Sequence, residues 1–524
     1  MSTLPNAGIG VLLALVLVIG VSAWLGLLAQ RVVERGSFVR SFFLGNRGLG
    51  TWAMALTATV QSGGTFMGVP SLIYSHGWIV ALWIGAYMLV PLTAFSVLGK
   101  RLGQLSRQTA AITIPDMFRG RFDNSAVGLV ASCVIMFYMT FLLIAQFKAG
   151  AIVMQLSMPG TGALALAEDG PTALSRAYYV GLVIFAVTVV GYTMMGGFLA
   201  SVWTDLFQSV LMLVGVVILF FLVVPAAGWL ESATLTAMAQ TSPDFAFGPG
   251  YTPDGSGFLS PSLAFSMFFI WIFGGMASPA SMIRVMATSN TSVLRRSIFC
   301  LGTYNLFIYI PLICICVAAR SIIPDLKPGE SDQIIPRLAL LMTKDLPLGS
   351  FLAGVILAAP FGAVMATVSS FLLVMASGLV RDIYQRFINP HASESRIKFI
   401  THAVMAGIGV AAVLAVLNPP DYLQSWIVFG TTCSACSLLP VAMMACYWRR
   451  ATAAGAITAM VAGSLTVWAL YGYGVSIYGG FKPYRPWEFD PIIFGMAASG
   501  VLSVVVSLLT QPPREELVRR LFDE

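Results

Sequence analysis

This chain is short of charge. Lys, Arg, Asp and Glu together make up 10% of its 524 residues, where an ordinary soluble protein carries about 25%. It is short of histidine too: His76, His391 and His402 are the only three, and none is spaced as a metal-binding pair. Seven cysteines are present, most of them inside apolar runs. Cys433 and Cys436 form the one C-x-x-C, in a hydrophobic stretch with no second pair. They read as small packing residues, with redox or metal chemistry as the competing reading. No linker and no low-complexity tract interrupts the chain. A membrane-embedded transferase would need an acid, base or metal cluster at a membrane face, and the sequence supplies none. The expectation is a protein that is not an enzyme and carries no cofactor.

What is there instead is apolar sequence, 58% of the residues, much of it in runs of ~20 or more. Lipid forces each backbone hydrogen bond to close within its own segment, so the expected class is an all-α integral membrane protein. Thirteen candidate spans lie near 7–29, 49–74, 77–99, 124–154, 176–195, 198–226, 260–286, 294–319, 347–380, 397–417, 422–447, 452–473 and 490–511. The first is too long for the apolar core of a signal peptide and has no Lys or Arg before it, so a retained helix is expected.

Basic residues fix the orientation. They cluster after spans 1, 3, 7, 9, 11 and 13, while the connection 227–258 has none. With thirteen spans all these clusters fall on one side. The positive-inside rule then puts the N-terminus outside and the C-terminus in the cytoplasm. The net charge of +7 is read as cytoplasmic loop charge on a plasma-membrane protein, not as a nucleic-acid surface. The segment "AITIPDMFRGRF" after span 3 reads as a short cytoplasmic amphipathic helix starting near Pro115.

Span 2 holds an apparent contradiction. "LTATVQSGGTFMGVP", residues 56–70, is apolar enough for lipid yet crowded with Gly63, Gly64, Gly68 and Pro70, which loosen a helix. Unwound backbone at membrane depth is tolerated where it is buried in protein or lines a cavity. There its carbonyls can bind a cation and a half-helix N-terminus can attract an anion. Span 7 has a matching stretch, "WIFGGMASPASMIR", with Gly274, Gly275 and Pro279. The two spans head successive five-helix sets, spans 2–6 and 7–11. An odd number inverts the second set, and paired interrupted spans in inverted halves point to a transporter's binding site. Two unrelated glycine-rich packing faces are the competing reading.

Asp205 in span 6 is the only carboxylate well inside a predicted span, on the order of 10 Å from its cytoplasmic end. An acid in the membrane should face the interior with a partner; a cation site and a structural hydrogen bond both fit. In span 9, Ala363, Ala366, Thr367 and Ser370 share one helix face with Ser369 beside it. That face suits close helix packing or hard-oxygen ligation of an alkali cation.

Taken in order, "FFLGNRGLG", "TIPDMFRGRF", "YTMMGGFLASVWTDLFQ", "LAAPFGAVMATVSS", "ASGLVRDIY" and "YWRRATAAGAITAMVAG" resemble the sodium:solute symporter family over nearly the whole chain. The "LAAP" of span 9, the "IIPDL…IIPRL" connection before it and "NPP" before span 11 are most like its sodium/pantothenate symporters. "TIPDMFRGRF" and "WTD" are as much like its proline symporters.

The resemblance implies the leucine-transporter-type fold: an extra N-terminal helix at 7–29, a first repeat at 49–226, an inverted second repeat at 260–447 and two C-terminal helices at 452–511. It implies a main sodium site from Ala58, Gln61, Ala363, Ala366 and Thr367, in which Ala366 stands where the family usually has serine. It implies a second sodium site from Asp205, Ser369 and Ser370. The substrate is expected against Gln61, Ser62, Thr65, Gln146, Trp271 and Ser278. Lys148 departs from the family pattern. It reads as the only Lys or Arg well inside a span, and either snorkels to the outer interface or reads a substrate carboxylate. The implied function is sodium-coupled import of a small organic solute by a monomer or weak homo-oligomer in the lipid bilayer. A transporter-like sensor or channel is the reading from another class.

Overall fold

The computed structural model describes residues 7–33, 38–57, 62–159, 176–240, 243–248, 259–324, 326, 330–417 and 423–523, and these residues fold into helices joined by short connections, with no β-strand among them. Local signals start many of the helices. Asn124, Ser260, Asn290, Thr452 and Asp490 each stand at a helix N-terminus and accept a backbone N–H from the first turn, which satisfies a group the helix itself cannot.

Nine described helices are individually long and apolar enough to cross a membrane. Spans 1, 4, 8, 10, 12 and 13 correspond to Ile9–Val33, Ser125–Ser157, Thr291–Ile322, Glu394–Ala415, Ala453–Tyr478 and Pro491–Leu509. Spans 9 and 11, Gly349–Ser377 and Leu423–Tyr447, are buried along most of their length and form the centre of the molecule.

Spans 5 and 6 form one 51-residue element, Arg176–Ala226, interrupted at Gly197. A straight helix of that length would run ~76 Å, far more than a bilayer's ~30 Å core. Tyr192 and Asp205 also come within electrostatic reach of each other, whereas a straight helix would hold them ~20 Å apart. Gly197 makes the reversal with φ 54° and ψ −134°. A Cβ there would lie 2.6 Å from the Phe42 carbonyl oxygen.

The two interrupted spans are both broken. Span 2 is helical over Thr51–Thr57, resumes after Ser62 as a wide turn over Gly64–Gly68, and continues as Val69–His76. Span 7 runs Pro261–Ala277, turns extended at Ser278 and continues as Pro279–Met286, bent by 41°.

The expected cytoplasmic helix is Ile114–Phe122, capped by Thr113. It packs on the extension of span 9. Thr113 Oγ1 donates to Asp382 Oδ1 at 2.6 Å, and Asp116 lies 2.8 Å from Arg386 and 3.5 Å from Arg119. Two of the motifs that carry the family resemblance therefore meet each other. On the opposite side, the connection between spans 8 and 9 contains a helix, Ile334–Thr343, that the sequence pattern did not announce.

Gly197→Ala should lower stability by about 1–3 kcal/mol, the cost of a strained backbone, plus the clash with Phe42. Gly191→Ala, whose added methyl meets nothing within 4 Å, should be near neutral. Thermal unfolding of the detergent-purified variants checks the pair.

Candidate functional site

The break in span 2 is held from several sides. The Gly63 N–H donates to Gln146 Oε1 of span 4 at 2.7 Å, and the Gly64 N–H to the Ser62 hydroxyl at 3.1 Å. The Ser62 N–H reaches Thr65 Oγ1 at 3.3 Å. Thr65 Oγ1 also lies 3.4 Å from the hydroxyl of Tyr309 on span 8. An aromatic chain leads from there to span 7: Tyr309 to Tyr87 at 5.2 Å between ring centroids, and Tyr87 to Trp271 at 5.5 Å. The structure thus joins Ser62, Thr65, Gln146 and Trp271 in one neighbourhood. Ser278 is the residue at which span 7 breaks. Ala58 and Gln61 lie outside the described residues.

Sequence reasoning missed three polar groups here. Gln424 of span 11 is buried, and neither atom of its amide has a hydrogen-bond partner. Its Oε1 fills the place a side chain at Gly68 would take, so the glycine makes room for it. Gln208 of span 6 is also buried with both amide atoms unpartnered, and it packs over Gly362, one residue before Ala363. Buried orphan amides are rare and call for a ligand, ion or water. The third group is Asp332, in the turn Ser331–Gln333 that leads into Ile334–Thr343.

Asp332 corrects the snorkelling alternative for Lys148. That lysine is only 6% exposed, and its ammonium lies 3.8 Å from Asp332 Oδ2. The outer connection folds inward and brings the carboxylate to it. Burial pushes the Asp332 carboxyl above its ordinary range, and Lys148 opposes that shift.

Ala363, Ala366 and Thr367 lie on the buried face of span 9, as the spacing implies. Thr367 Oγ1 donates to the Ala363 carbonyl at 2.9 Å, and the Ala366 carbonyl accepts from Ser369 and Ser370 at 3.0 and 2.9 Å.

The neighbouring cluster differs from expectation. The structure does bring Asp205, Ser369 and Ser370 together, but the cation among them is a guanidinium. Arg284 Nη2 donates to Asp205 Oδ2 at 2.6 Å and to Ser370 Oγ at 2.7 Å, while its Nε reaches Thr57 Oγ1 at 3.2 Å. Ser369 joins through Ser201, 2.9 Å away. Both charged residues are 2% exposed. One carboxylate balances one buried cation, so a sodium ion added beside Arg284 would meet a like charge with little water to screen it. The oxygens assigned to a second sodium site are engaged by Arg284 in this conformation. Lys148 is therefore not the only basic side chain inside the spans. Arg284 follows the break in span 7, where sequence alone made it look like the end of a span.

Comparison with solved structures identifies the class. A Na+-coupled sialic acid symporter, solved substrate-bound and outward-open, matches with a TM-score of 0.74 at 20% identity, over 97% of this chain and 100% of that one. A nucleobase-cation-symport-1 family transporter in a closed conformation matches at a TM-score of 0.50 and 14% identity, over 92% and 98%. The fold is that of leucine-transporter-type membrane transporters. The model of the sodium:solute symporter family matches residues 42–463, and the chain belongs to that family. Among its relatives, the sodium/pantothenate symporter of Escherichia coli K12 is 31% identical over 90% of this chain and 92% of its own length. The sodium/pantothenate symporter of Haemophilus influenzae is 29% identical over 94% and 95%, and that organism's sodium/proline symporter is 26% identical over 92% and 92%.

Removing one partner of the Arg284–Asp205 pair should cost about 3–5 kcal/mol, because the other charge stays buried without compensation. Arg284→Gln combined with Asp205→Asn should be less damaging than either alone. Thermal unfolding of the two singles and the double measures this coupling.

Proposed function

We propose that the protein is a sodium-coupled symporter that imports a small organic carboxylate across the plasma membrane, with pantothenate the first candidate solute. The observation that carries this reading is the pair of broken spans, whose first break is lined by Thr65, Gln146 and the unpartnered amide of Gln424. Such paired breaks place a binding site near mid-membrane in secondary transporters. Kinship with pantothenate symporters supports the solute. Proline symporters are also related, and proline carries a carboxylate as well.

In this reading 49–226 and 260–447 are the two inverted halves, and the basic connections face the cytoplasm with the N-terminus outside. Sodium binds where the break of span 2 meets span 9, at Ala58, Gln61, Ala363, Ala366 and Thr367. Sodium is carried as a co-substrate of transport. The buried, unpartnered Gln208 amide over Gly362 offers a further oxygen close to these ligands. The solute lies against Gln61, Ser62, Thr65, Gln146 and Trp271, with Ser278 opposite. Arg284 ties Thr57 of span 2 and its own broken span 7 to spans 6 and 9, so the Asp205 cluster acts as a lock between them.

Uptake into proteoliposomes of labelled pantothenate, proline, biotin, lactate and sialic acid, with and without an inward sodium gradient, tests the assignment. Sodium-driven accumulation of pantothenate is expected. Accumulation of none of these, or uptake indifferent to sodium, would sink it.

The ion site has its own test. Ala366→Ser restores a hydroxyl on the face that already holds Thr367, so it should keep transport and lower the sodium concentration for half-maximal uptake. Thr367→Ala removes the site's remaining side-chain hydroxyl and should raise that concentration sharply. If both variants behave like the unaltered protein, sodium does not bind there.

A further inference from the structure

Lys148 and Asp332 form a buried ion pair of unusual quality. At 3.8 Å the ammonium and the Asp332 Oδ2 atom are too far apart for a hydrogen bond, and that oxygen has no other hydrogen-bond partner. Both side chains are nearly out of water, 8% and 3% exposed. Removing two charges from water is costly, and attraction without hydrogen bonds offsets it poorly. A pair of this kind is readily exchanged for a better one.

The two halves belong to different parts of the molecule. Lys148 sits on span 4, two residues from the Gln146 that holds Gly63. Asp332 sits in the connection between spans 8 and 9, in a turn laid against the outer half of span 2. There the hydroxyls of Ser331 and Ser71 are 2.5 Å apart. The Tyr74 hydroxyl, one turn beyond Ser71, donates to the Ile323 carbonyl and accepts from the Leu326 N–H. Asp332 also faces the backbone N–H of Leu423. The next residue is Gln424, whose orphan amide points at Gly64 and Gly68. Around the outer half of the break the structure therefore places one cation, one carboxylate on a folded-in connection, and one unsatisfied amide.

We propose that Asp332 is a tethered stand-in for the carboxylate of the solute. An incoming carboxylate displaces it from Lys148, forms the direct charge-assisted hydrogen bond that Asp332 lacks, and releases the Ser331–Gln333 turn from the break. When the solute leaves, Asp332 returns and keeps Lys148 neutralised. Lys148 is then the residue that selects an anionic solute, and Gln424 receives the solute's polar uncharged part. This rests on the proposed function only in taking the solute to be a carboxylate.

Two measurements test it in the full-length protein in nanodiscs. The first is binding of pantothenate and of its neutral alcohol analogue. Lys148→Gln should weaken pantothenate by at least about tenfold, the loss of one charge-assisted hydrogen bond, and abolish the preference over the alcohol. Asp332→Asn removes the competitor and should tighten pantothenate severalfold while leaving the alcohol unchanged. Weakening of both ligands alike by Asp332→Asn would mean that the pair is only structural, and overturns the proposal.

The second measurement needs no knowledge of the solute. Ser331→Cys is introduced where the natural cysteines have been replaced, and its labelling by a membrane-impermeant maleimide is timed. Lys148→Gln should speed labelling. Acetate, against chloride at equal ionic strength, should speed it with Lys148 present and not in Lys148→Gln. Equal rates throughout overturn the exchange even if pantothenate is transported. Failure of pantothenate to bind while acetate still acts on labelling removes that solute and leaves the exchange standing.

Discussion

A helix that opens inside a bilayer leaves backbone N–H and C=O groups that lipid cannot satisfy. Much of this structure is arranged around that constraint at span 2. The Gly63 and Gly64 amides are met by Gln146 from span 4 and by Ser62 within the break itself. Spans 9 and 11, the most enclosed helices, lie alongside and keep lipid away. The glycines at 63, 64 and 68 serve approach as much as flexibility, since a methyl group on any of them would press on Ala149, Ile427 or Gln424.

The same dry interior makes charge a second constraint. Two basic side chains are buried among the spans, and each is matched by one carboxylate: Arg284 by Asp205 and Lys148 by Asp332. The two pairs differ in kind. Arg284 is held by hydrogen bonds to four groups on four spans, including the Ala280 carbonyl at 3.3 Å on its own. Lys148 touches Asp332 through space only. A tightly bonded guanidinium near the cytoplasmic ends and a loosely matched ammonium nearer the other face suit a molecule that must hold one route shut while the other opens.

The order of apolar runs and the rhythm of basic connections made the all-helical class and the breaks in spans 2 and 7 legible, because lipid imposes its demand residue by residue along the chain. Side-chain partners across the fold were less legible. Arg284 lies close to the predicted end of span 7, where a basic residue ordinarily meets water. The bend at Ser278 turns the last eight-residue helix inward, and the arginine goes with it. Asp332 sits in a connection that reads as solvated, until the connection folds onto span 2.

The sequence by itself determined the membrane class, the broken helices, the family, and the grouping of Ala363, Ala366, Thr367, Ser369 and Ser370 on one stretch of helix, since these depend on composition and short-range periodicity. Only the tertiary structure decided which cation meets Asp205, which anion meets Lys148, and that Gln208 and Gln424 stand buried with their amides unpartnered. Those outcomes turn on contacts between segments distant in the chain. There the energy of a buried charge or amide depends on what the fold brings within about 4 Å of it, and no local pattern in the sequence records that distance.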